Sequence, residues 1–508
     1  MTLNDLLNRG NPDDAAIGAT DGAAPLTYAA LVALCGDVAA GLNAHGIGAN
    51  DRVAIVLPNG PAMATCFCAV AAAATAAPLN PAYKEAEFEF YLSDLKASAM
   101  IVAAGVETPA LAAAARLGVP IIELEERDDE AGSFTLDLHA LPAAAIDRPA
   151  GADDVALVLH TSGTTSRPKI VPLTQANLCA SAAHISATLA LAPGDHCLNV
   201  MPLFHIHGLI AAVLSSLYAG ARVSCSPGFN AMRVFSWMSA LDPTWYTAVP
   251  TMHQAILERA ERNAATVEAL RLRFIRSSSS SLPPQVMAQL EQTFGCPVIE
   301  AYGMTEAAHQ MTSNQLPPGL HKPGSVGAPA GPEVRLMDAD GAFVAAGGEG
   351  EIVIRGPNVT RGYEANEAAN ASAFAADPDG GDDWFRTGDQ GIFDADGFLS
   401  ISGRLKEIIN RGGEKIAPRE VDDVLMDHEA VAQVVTFAVP HGKLGEDVAA
   451  AVVLRAGASV GERELRDFAA TRLAAFKVPR SIVFLDEIPK GSTGKLQRIG
   501  LAEKLGLA

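Results

Sequence analysis

The chain has 508 residues, too many for a single hydrophobic core, so we expect two or more domains. Hydrophobic residues make up 49% of the sequence and charged residues 19%, which excludes a disordered chain. The formal net charge of −21, with no block of Lys and Arg, argues against nucleic acid and against an anionic membrane surface as partners.

Residues 1–10 lack the basic and apolar regions of a secretion signal. The longest weakly polar run, residues 62–78, is mostly alanine and ends at a proline, which predicts a buried helix and no membrane span. The seven cysteines are scattered, and the single C-x-C pair has no second pair to complete a zinc site. Reduced thiols and a cytoplasmic location are therefore expected.

From about residue 25 to 300, helical patterns alternate with short apolar runs. Four such runs predict strands, at residues 51–58, 98–105, 195–202 and 296–303. This alternation predicts parallel sheets with crossover helices, an α/β architecture in which ligands bind beyond the carboxyl ends of the strands.

From about residue 325 to 400 the sequence changes to short strands with close glycine turns, which predicts a small β-rich unit. The segment LKEIINRGGEKI predicts a hairpin, and PREVDDVLMDH predicts a helix with Pro418 in its first turn. Further strands and a helix follow. We therefore expect a large N-terminal domain over residues 1–403 and a small α+β domain over residues 404–508, joined at GRLKE.

The stretch HTSGTTSRPK, residues 160–169, follows the apolar run VALVLH. Hydroxyls and backbone N–H groups at such a strand-to-turn junction can surround phosphate oxygens, and Lys169 adds a cation. The order of residues differs from the P-loop pattern. A Ser/Thr-rich surface turn is the alternative.

Two further motifs carry groups suited to a nucleotide. In YGMTE, Tyr302 can stack on a base, Thr305 offers a hydroxyl to a phosphate, and Glu306 can ligate Mg²⁺. In WFRTGD and GRLKE, Asp389 can accept bonds from ribose hydroxyls and Arg404 can donate to them. The alternatives are a helix start capped by Thr305, a turn aspartate and a surface arginine.

A fourth motif, PKGSTGKLQR, places Lys495 in a glycine-flanked turn. A lysine there can swing onto charge that develops on a carboxylate or a phosphate, although such lysines are often only solvated. Each motif alone is modest evidence for a nucleotide site. The four occur together in one order over about 340 residues, and this combination is much stronger evidence.

Together the motifs resemble the adenylate-forming acyl-CoA synthetase family, and the resemblance covers the whole chain. It is carried by TSGTTSRPK, EAYGMTE, WFRTGD, GRLKEIINRGGEKIAPREVD and PKGSTGKLQR. Within this family the chain is similar to oxalate–CoA ligases of plants and yeast in LHTSGTTSRPKIVPLT, MPLFHIHGL, LRFIRSSSSSL and INRGGEKIAP. The phosphate loop departs from the wider family, which has Gly where this chain has Ser166 and Arg167.

The resemblance implies a luciferase-like fold and a two-step reaction with ATP, Mg²⁺ and CoA. A carboxylate and ATP give an acyl-adenylate and pyrophosphate, and the CoA thiol then displaces AMP. The implied β,γ-phosphate clamp consists of Thr161, Ser162, Gly163, Thr164, Thr165 and Lys169. The other implied nucleotide contacts are Tyr302 on adenine, Thr305 on the α-phosphate, Asp389 and Arg404 on ribose, and Glu306 on Mg²⁺.

Four residues are implied to serve the change between the two half-reactions. Lys495 would bridge the carboxylate and the α-phosphate during adenylation, and Lys406 stands at the family's hinge. Rotation about this hinge would bring Gly412 and Gly413 toward CoA.

The implied acyl pocket is polar. Its candidate substrate residues are His207, Ser279, Ser280 and His309, and His205 is a catalytic candidate whose alternative role is gating or packing. Imidazoles and hydroxyls suit a second carboxylate, because a buried carboxylate without donors costs several kcal/mol. We therefore expect oxalate as the substrate, with malonate or a short or medium-chain acid as alternatives.

Two other classes of protein fit the motifs less well. An adenylation enzyme that loads a carrier protein is less favoured, because no carrier-like sequence follows Lys495. A binding protein without catalysis is disfavoured because every implied catalytic position is filled. A monomer or a homodimer acting on small molecules is expected.

Overall fold

The computed structural model describes residues 1–161, 168–345, 347–490 and 496–507 of the chain. Residues 1–161 alternate between short strands and helices. These elements are α1 (Leu3–Leu7), β1 (Ala15–Gly18), β2 (Leu26–Thr27), α2 (Tyr28–Ala44), β3 (Arg52–Val56), α3 (Pro61–Ala73), β4 (Thr75–Pro78), α4 (Glu85–Leu95), β5 (Ala99–Ala103), α5 (Pro109–Leu117), β6 (Ile121–Glu126), β7 (Phe134–Asp137) and β8 (Val155–Thr161).

The alternation continues from residue 168 to residue 313. The elements are β9 (Lys169–Thr174), α6 (Gln175–Thr188), β10 (His196–Asn199), a π-helix (His207–Leu214), α7 (Ser215–Tyr218), β11 (Arg222–Cys225), α8 (Val234–Leu241), β12 (Trp245–Ala248), α9 (Pro250–Ala260), a 3₁₀ turn (Glu261–Asn263), α10 (Ala264–Ala269), β13 (Phe274–Ser278), α11 (Pro284–Phe294), β14 (Val298–Met304), a 3₁₀ turn (Thr305–Ala307) and β15 (His309–Ser313).

The remaining elements are mostly strands. They are β16 (Ala328–Pro329), β17 (Glu333–Met337), β18 (Glu349–Arg355), α12 (Glu367–Ala373), β19 (Phe374–Ala375), β20 (Trp384–Phe393), β21 (Leu399–Arg404), β22 (Ile409–Arg411), β23 (Glu414–Ile416), α13 (Pro418–Met426), β24 (Val431–His441), β25 (Gly445–Leu454), α14 (Glu462–Ala470), β26 (Ser481–Phe484) and α15 (Leu501–Lys504).

Two large sheets form the N-terminal part of the molecule. One has nine strands in the order β16-β15-β14-β13-β12-β10-β11-β1-β2, and the other has seven in the order β7-β6-β5-β3-β4-β8-β9. The inner strands of both are parallel, and antiparallel strands close the ends. All four strands predicted from apolar runs form, as β3, β5, β10 and β14. The predicted α/β architecture is confirmed.

Helix α3 and the π-helix contribute buried side chains to an apolar core that also contains residues of both sheets. Helix α3 begins at Pro61, directly after Gly60, and every side chain from Ala62 to Ala73 is buried. The alanine-rich segment is therefore a buried helix, as predicted. In the part of the chain that the structure describes, no helix is both long enough and apolar enough to cross a bilayer.

Two five-stranded sheets follow in the chain. In the first, β17, β18, β20, β19 and β21 pair antiparallel, which confirms the predicted β-rich unit. The second contains β22 to β26 and packs with α13 and α14 around its own apolar cluster, which confirms an α+β unit. Strand β21 ends at Arg404, in the first of these sheets. The domain boundary between residues 403 and 404 stays a prediction.

Candidate active site

Two of the predicted motifs adjoin the ends of strands in the two large sheets. YGMTE spans the end of β14 and the 3₁₀ turn that follows, and the serine-rich segment begins in β13, the parallel neighbour of β14. The phosphate-loop motif lies between β8 and β9, where Thr161 pairs with Lys169. Because ligands bind at the carboxyl ends of parallel strands, these segments define a candidate active site.

Part of the predicted phosphate site lies outside the described residues. Ser162, Gly163, Thr164 and Thr165 fall within 162–167, and Lys495 falls within 491–495. Thr161 is half-buried at the end of β8, next to this segment. The proposed roles of the five residues stay predictions.

Tyr302, Asp389 and Arg404 form one hydrogen-bonded group. The Tyr302 hydroxyl donates a short hydrogen bond to one oxygen of the Asp389 carboxylate. Arg404 Nε lies 3.0 Å from the other oxygen. Burial and the adjacent Asp389 carboxylate raise the pKa of the Tyr302 phenol, so the hydroxyl stays a donor. The structure thus brings together the predicted adenine and ribose residues and fixes the Asp389 side chain from both sides.

Glu306 lies in the 3₁₀ turn that follows β14. Its carboxylate is 6% exposed and accepts a 2.8 Å hydrogen bond from the Tyr363 hydroxyl. Burial raises the pKa of Glu306, and the Tyr363 bond and the charge of Lys169 oppose this effect. A buried carboxylate near a phosphate loop has the oxygen donors that Mg²⁺ prefers, so Glu306 fits the predicted metal role.

Lys169 stacks on the same tyrosine, with its ammonium group 4.1 Å from the centre of the Tyr363 ring. Burial and the charge of Lys406 lower the pKa of Lys169, and Glu306 raises it. The hinge candidate Lys406 therefore lies within electrostatic range of the phosphate-loop lysine. The two cations create a positive region at the start of β9, beside the carboxylate of Glu306.

Thr305 opens the 3₁₀ turn with a half-buried side chain. Within the described ranges, no cluster of three or more His, Cys, Asp or Glu residues has the arrangement of a metal site. Mg²⁺ commonly binds one carboxylate together with nucleotide phosphate oxygens and water, and Glu306 could supply that carboxylate.

Gly412 and Gly413 form the predicted turn between β22 and β23. Both have positive φ, +63° and +102°, which favours glycine at each position. A Cβ at residue 412 would lie 2.9 Å from the Leu444 side chain. The amide of Gly412 donates to the Leu444 carbonyl, and the amide of Gly413 donates to the Asn410 side chain. Neither bond links the turn to the residues around Glu306.

His207 is the centre of the predicted acyl pocket. Its Nδ1 lies 2.9 Å from the Ser279 hydroxyl and its Nε2 lies 2.6 Å from the Thr247 hydroxyl. The ring of His309 meets that of His207 edge-on, with 5.0 Å between the ring centres. Both histidines are buried, at 0% and 2% exposure. The structure thus brings His207, Ser279 and His309 together, and their role in binding an acid stays a prediction.

Backbone strain is concentrated at two of these residues. Ser279 has φ +73° and His309 has φ +105°, values that residues with side chains seldom adopt. His207 also begins the π-helix, an element that occurs often at functional sites. Both features are common at functional sites, so this group stays the candidate acyl pocket.

The remaining two pocket candidates lie nearer its edge. Ser280 is exposed and directly follows the strained Ser279. His205 is half-buried, and its Nδ1 accepts a 3.4 Å hydrogen bond from the His207 amide. Of the two serines, Ser279 is the one hydrogen-bonded to His207.

Two residues near the site were not among the sequence candidates. Tyr363 comes from a loop 57 residues after Glu306, and nothing in its sequence context points to the carboxylate. Arg276 lies in β13 with 0% exposure, beside His207 and Gln310. The arginine inside the run RFIRSS could have indicated a functional position from sequence, because a strand residue there is expected to be buried and buried arginines are rare without a partner.

Comparison with known proteins gives matches over most of the chain. Residues 7–364 match the family described as AMP-binding enzyme, and residues 420–495 match the AMP-binding enzyme C-terminal domain. The chain is 47% identical to the oxalate–CoA ligase of Arabidopsis thaliana, over 89% of this chain and 88% of that protein. It is 41% identical to the oxalate–CoA ligase of Saccharomyces cerevisiae, over 89% and 86%.

Solved structures show the same similarity. The crystal structure of ATP-bound MatB from Rhodopseudomonas palustris superposes with a TM-score of 0.86 at 29% identity, covering 99% of both chains. The predicted arrangement of a large α/β region followed by a small α+β domain is therefore that of solved relatives.

Proposed function

The chain belongs to the AMP-binding enzyme family, and from this premise we propose that it is an acid–thiol ligase that converts oxalate to oxalyl-CoA. ATP, Mg²⁺ and CoA take part, and AMP and pyrophosphate are released. The proposal is supported by relatives named oxalate–CoA ligase at 41% and 47% identity. It also agrees with the polar side chains of Ser279 and His309 beside His207.

The observation that carries the choice of acid is the hydrogen bond between His207 and Ser279. A substrate with a second carboxylate needs donors at its distal end, because an ionised carboxylate without them is costly to bury. Here the imidazole, the serine hydroxyl and His309 converge on one side of the pocket. A fatty-acid chain would make no hydrogen bond to this polar group, and contact with it would cost the chain apolar burial.

In the first half-reaction, an oxygen of the reacting carboxylate forms a bond to the α-phosphorus of ATP. The bond from that phosphorus to the bridging oxygen breaks, and pyrophosphate leaves with the electron pair. Both reactants are anions, so donors must offset their repulsion. We assign that role to Lys495 at the carboxylate, Thr305 at the α-phosphate, and Lys169 with residues 161–165 at the leaving pyrophosphate.

Glu306 would hold Mg²⁺, which when bound neutralises charge between the phosphates and the attacking carboxylate. The Tyr363 hydroxyl stabilises the ionised form of Glu306 and orients it. Asp389 and Arg404, held together with Tyr302, would fix the ribose and the adenine ring. Together these contacts would hold the nucleotide in one orientation relative to the acid.

In the second half-reaction, the sulfur of CoA attacks the acyl carbon and the bond from that carbon to the AMP oxygen breaks. We propose that rotation at Lys406 removes Lys495 from the site and brings Gly412 and Gly413 to the CoA channel, with His205 acting at this step. Such a rotation lets one site serve two transition states with different needs. The boundary at residues 403–404, a cytoplasmic location and a monomeric or homodimeric state belong to the same proposal.

Pyrophosphate release over a panel of acids tests the proposal. The panel is oxalate, malonate, acetate, butyrate, octanoate and coumarate, each with ATP, Mg²⁺ and CoA. We expect oxalate to give the highest kcat/KM. A higher value for malonate would move the assignment to the longer dicarboxylate, and a higher value for octanoate would overturn the polar-acid assignment.

A further inference from the structure

Arg276 is a buried cation without a carboxylate partner. Its side chain is 0% exposed in the middle of β13, and among the residues that the structure describes no Asp or Glu forms an ion pair with it. Its side chain contacts Gln310 Oε1 at 3.3 Å and His207 Nε2 at 3.5 Å, neither of which is a carboxylate, and its Nε has no hydrogen-bond partner among the described residues. Burial lowers its pKa to about 9, so it still carries a charge near neutral pH.

An uncompensated buried charge is unfavourable for folding. Fully buried arginines in stable proteins are normally paired with a carboxylate or a phosphate. Because no carboxylate of the described residues pairs with Arg276, its counter-charge is expected to arrive with a ligand.

The contacts of Arg276 bear on the tautomer of His207. His207 Nε2 lies 2.6 Å from the Thr247 hydroxyl and 3.5 Å from a terminal nitrogen of Arg276. Because a guanidinium only donates hydrogen bonds and a hydroxyl can donate, both neighbours fit an unprotonated Nε2. We assign the ring proton to Nδ1, which in this tautomer donates to Ser279 Oγ. Because the Ser279 oxygen accepts this bond, its own hydrogen is available to an oxygen of the substrate.

We propose that Arg276 is a positioning residue that selects a dianionic acid. It acts through His207 and Ser279, and its positive charge favours a substrate whose distal group is a carboxylate over an acid of equal size with a neutral distal group. This inference rests on the proposed activation of oxalate and adds the residue that distinguishes the second negative charge.

The test compares oxalate with oxamate, which has nearly the same shape but a neutral amide in place of one carboxylate. kcat/KM for both acids and KM for ATP are measured in the wild-type enzyme, Arg276→Met and Arg276→Lys. Arg273→Met is the matched control, because Arg273 lies three residues earlier and already pairs with Asp195 at 2.8 Å.

We expect Arg276→Met to reduce the ratio of the oxalate value to the oxamate value by about tenfold or more, with KM for ATP unchanged. Arg276→Lys should restore part of the ratio, and Arg273→Met should leave it at the wild-type value. The melting temperature of Arg276→Met should not fall, because replacing an unpaired buried charge by an apolar side chain of similar volume is neutral or stabilising.

An equal loss for both acids in Arg276→Met would overturn the inference, because it would show a structural role only. If that variant does not fold, the comparison of oxalate with oxamate in the wild-type enzyme is the test. Equal kcat/KM for the two acids would overturn the inference. If the wild-type enzyme does not use oxalate, the proposed function fails. If it uses oxalate and the ratio is unchanged in Arg276→Met, only the inference about Arg276 fails.

Discussion

His207 Nδ1 and the hydroxyl of Ser279 form a 2.9 Å hydrogen bond, and Ser279 is held at φ +73°. The serine is thus fixed in a conformation that costs free energy, by a histidine that is itself buried between Thr247 and Arg276. Strain that persists at a converging polar group is typical of ligand sites. The predictions below begin from this pair.

Removal of the Ser279 hydroxyl tests its contact with the acid. We expect Ser279→Ala to raise KM for oxalate by about tenfold, because a hydrogen bond to a charged group contributes roughly 1.5–3 kcal/mol, and to leave KM for ATP nearly unchanged. Steady-state kinetics with each substrate varied in turn measure both values. Ser280→Ala, at the exposed neighbouring position, is the control and should have a smaller effect.

Ser279→Gly separates strain from contact. Glycine adopts φ +73° without strain, so this variant should melt at a higher temperature than Ser279→Ala while binding oxalate equally poorly. Equal oxalate KM values in the wild-type enzyme and in both variants would remove Ser279 from the pocket.

His309 is the second side chain of the pocket to be tested. His309→Ala should raise KM for oxalate far more than KM for ATP, because its ring packs edge-on against His207 at 5.0 Å. His309→Asn is the companion variant, since asparagine tolerates the positive φ of this position better than alanine. An oxalate KM equal to that of the wild type in both variants would contradict the assignment.

Tyr363 sets the pH range over which Glu306 is ionised. Burial raises the pKa of Glu306 above its ordinary value of 4.5, and the Tyr363 hydrogen bond opposes this rise. Tyr363→Phe should therefore raise the pKa further, and the acid limb of the kcat/KM profile for ATP should move to higher pH. The stacking of Lys169 on the ring is retained in this variant.

The profile is measured at saturating Mg²⁺ for the wild type, Tyr363→Phe and the remote control Tyr83→Phe. At pH well above the limb, Tyr363→Phe should approach the wild-type rate. A limb that moves to lower pH, or moves equally in Tyr83→Phe, would be inconsistent with this role for Tyr363.

Lys495 is predicted to serve adenylation only. Lys495→Ala should lose adenylate formation, followed as pyrophosphate release, and should largely keep thioester formation from preformed oxalyl-adenylate and CoA. Lys490→Ala is the control, since Lys490 pairs with Glu487 on the surface at 2.9 Å. Equal loss of both half-reactions in Lys495→Ala would refute the assignment.

Glu300 gives a prediction for stability. The side chain is 1% exposed in β14, one oxygen accepts a 2.9 Å bond from the Leu282 amide, and burial raises its pKa to about 7. A carboxyl group with a raised pKa in the folded state stabilises the fold at low pH. This stability is lost as the pH rises from about 4.5 through about 7.

Glu300→Gln keeps the acceptor oxygen and removes the charge. The difference in melting temperature between this variant and the wild type should grow from pH 5 to pH 7 and then level off, which corresponds to up to a few kcal/mol. Glu268→Gln, at an exposed position on α10, is the matched control. A difference for Glu300→Gln that does not change with pH would contradict the raised pKa.

The sequence predicts those features that depend on local patterns. The parallel strands follow from apolar runs that end in turns, and the buried helix α3 follows from an alanine-rich run that begins at Pro61. The hairpin at residues 409–416 follows from Gly412 and Gly413, whose positive φ values require the turn that the sequence indicates.

Features that depend on packing between distant segments were not predicted. Tyr363 reaches Glu306 from a loop with no recognisable pattern, and the sequence gives no sign of which strand neighbours surround Arg276. Within the serine run, only the backbone conformation distinguishes Ser279, which bonds to His207, from the exposed Ser280. These relationships are set by the sheet order and by the π-helix that carries His207.

The central claim is that a carboxylate oxygen of oxalate attacks the α-phosphorus of ATP before CoA displaces AMP. Oxalate labelled with ¹⁸O in all its oxygens, incubated with the enzyme, ATP, Mg²⁺ and CoA, tests it through the masses of the products. We expect oxalyl-CoA together with AMP that carries one heavy oxygen, and unlabelled pyrophosphate. Heavy oxygen in inorganic phosphate with formation of ADP, or unlabelled AMP, would contradict the account.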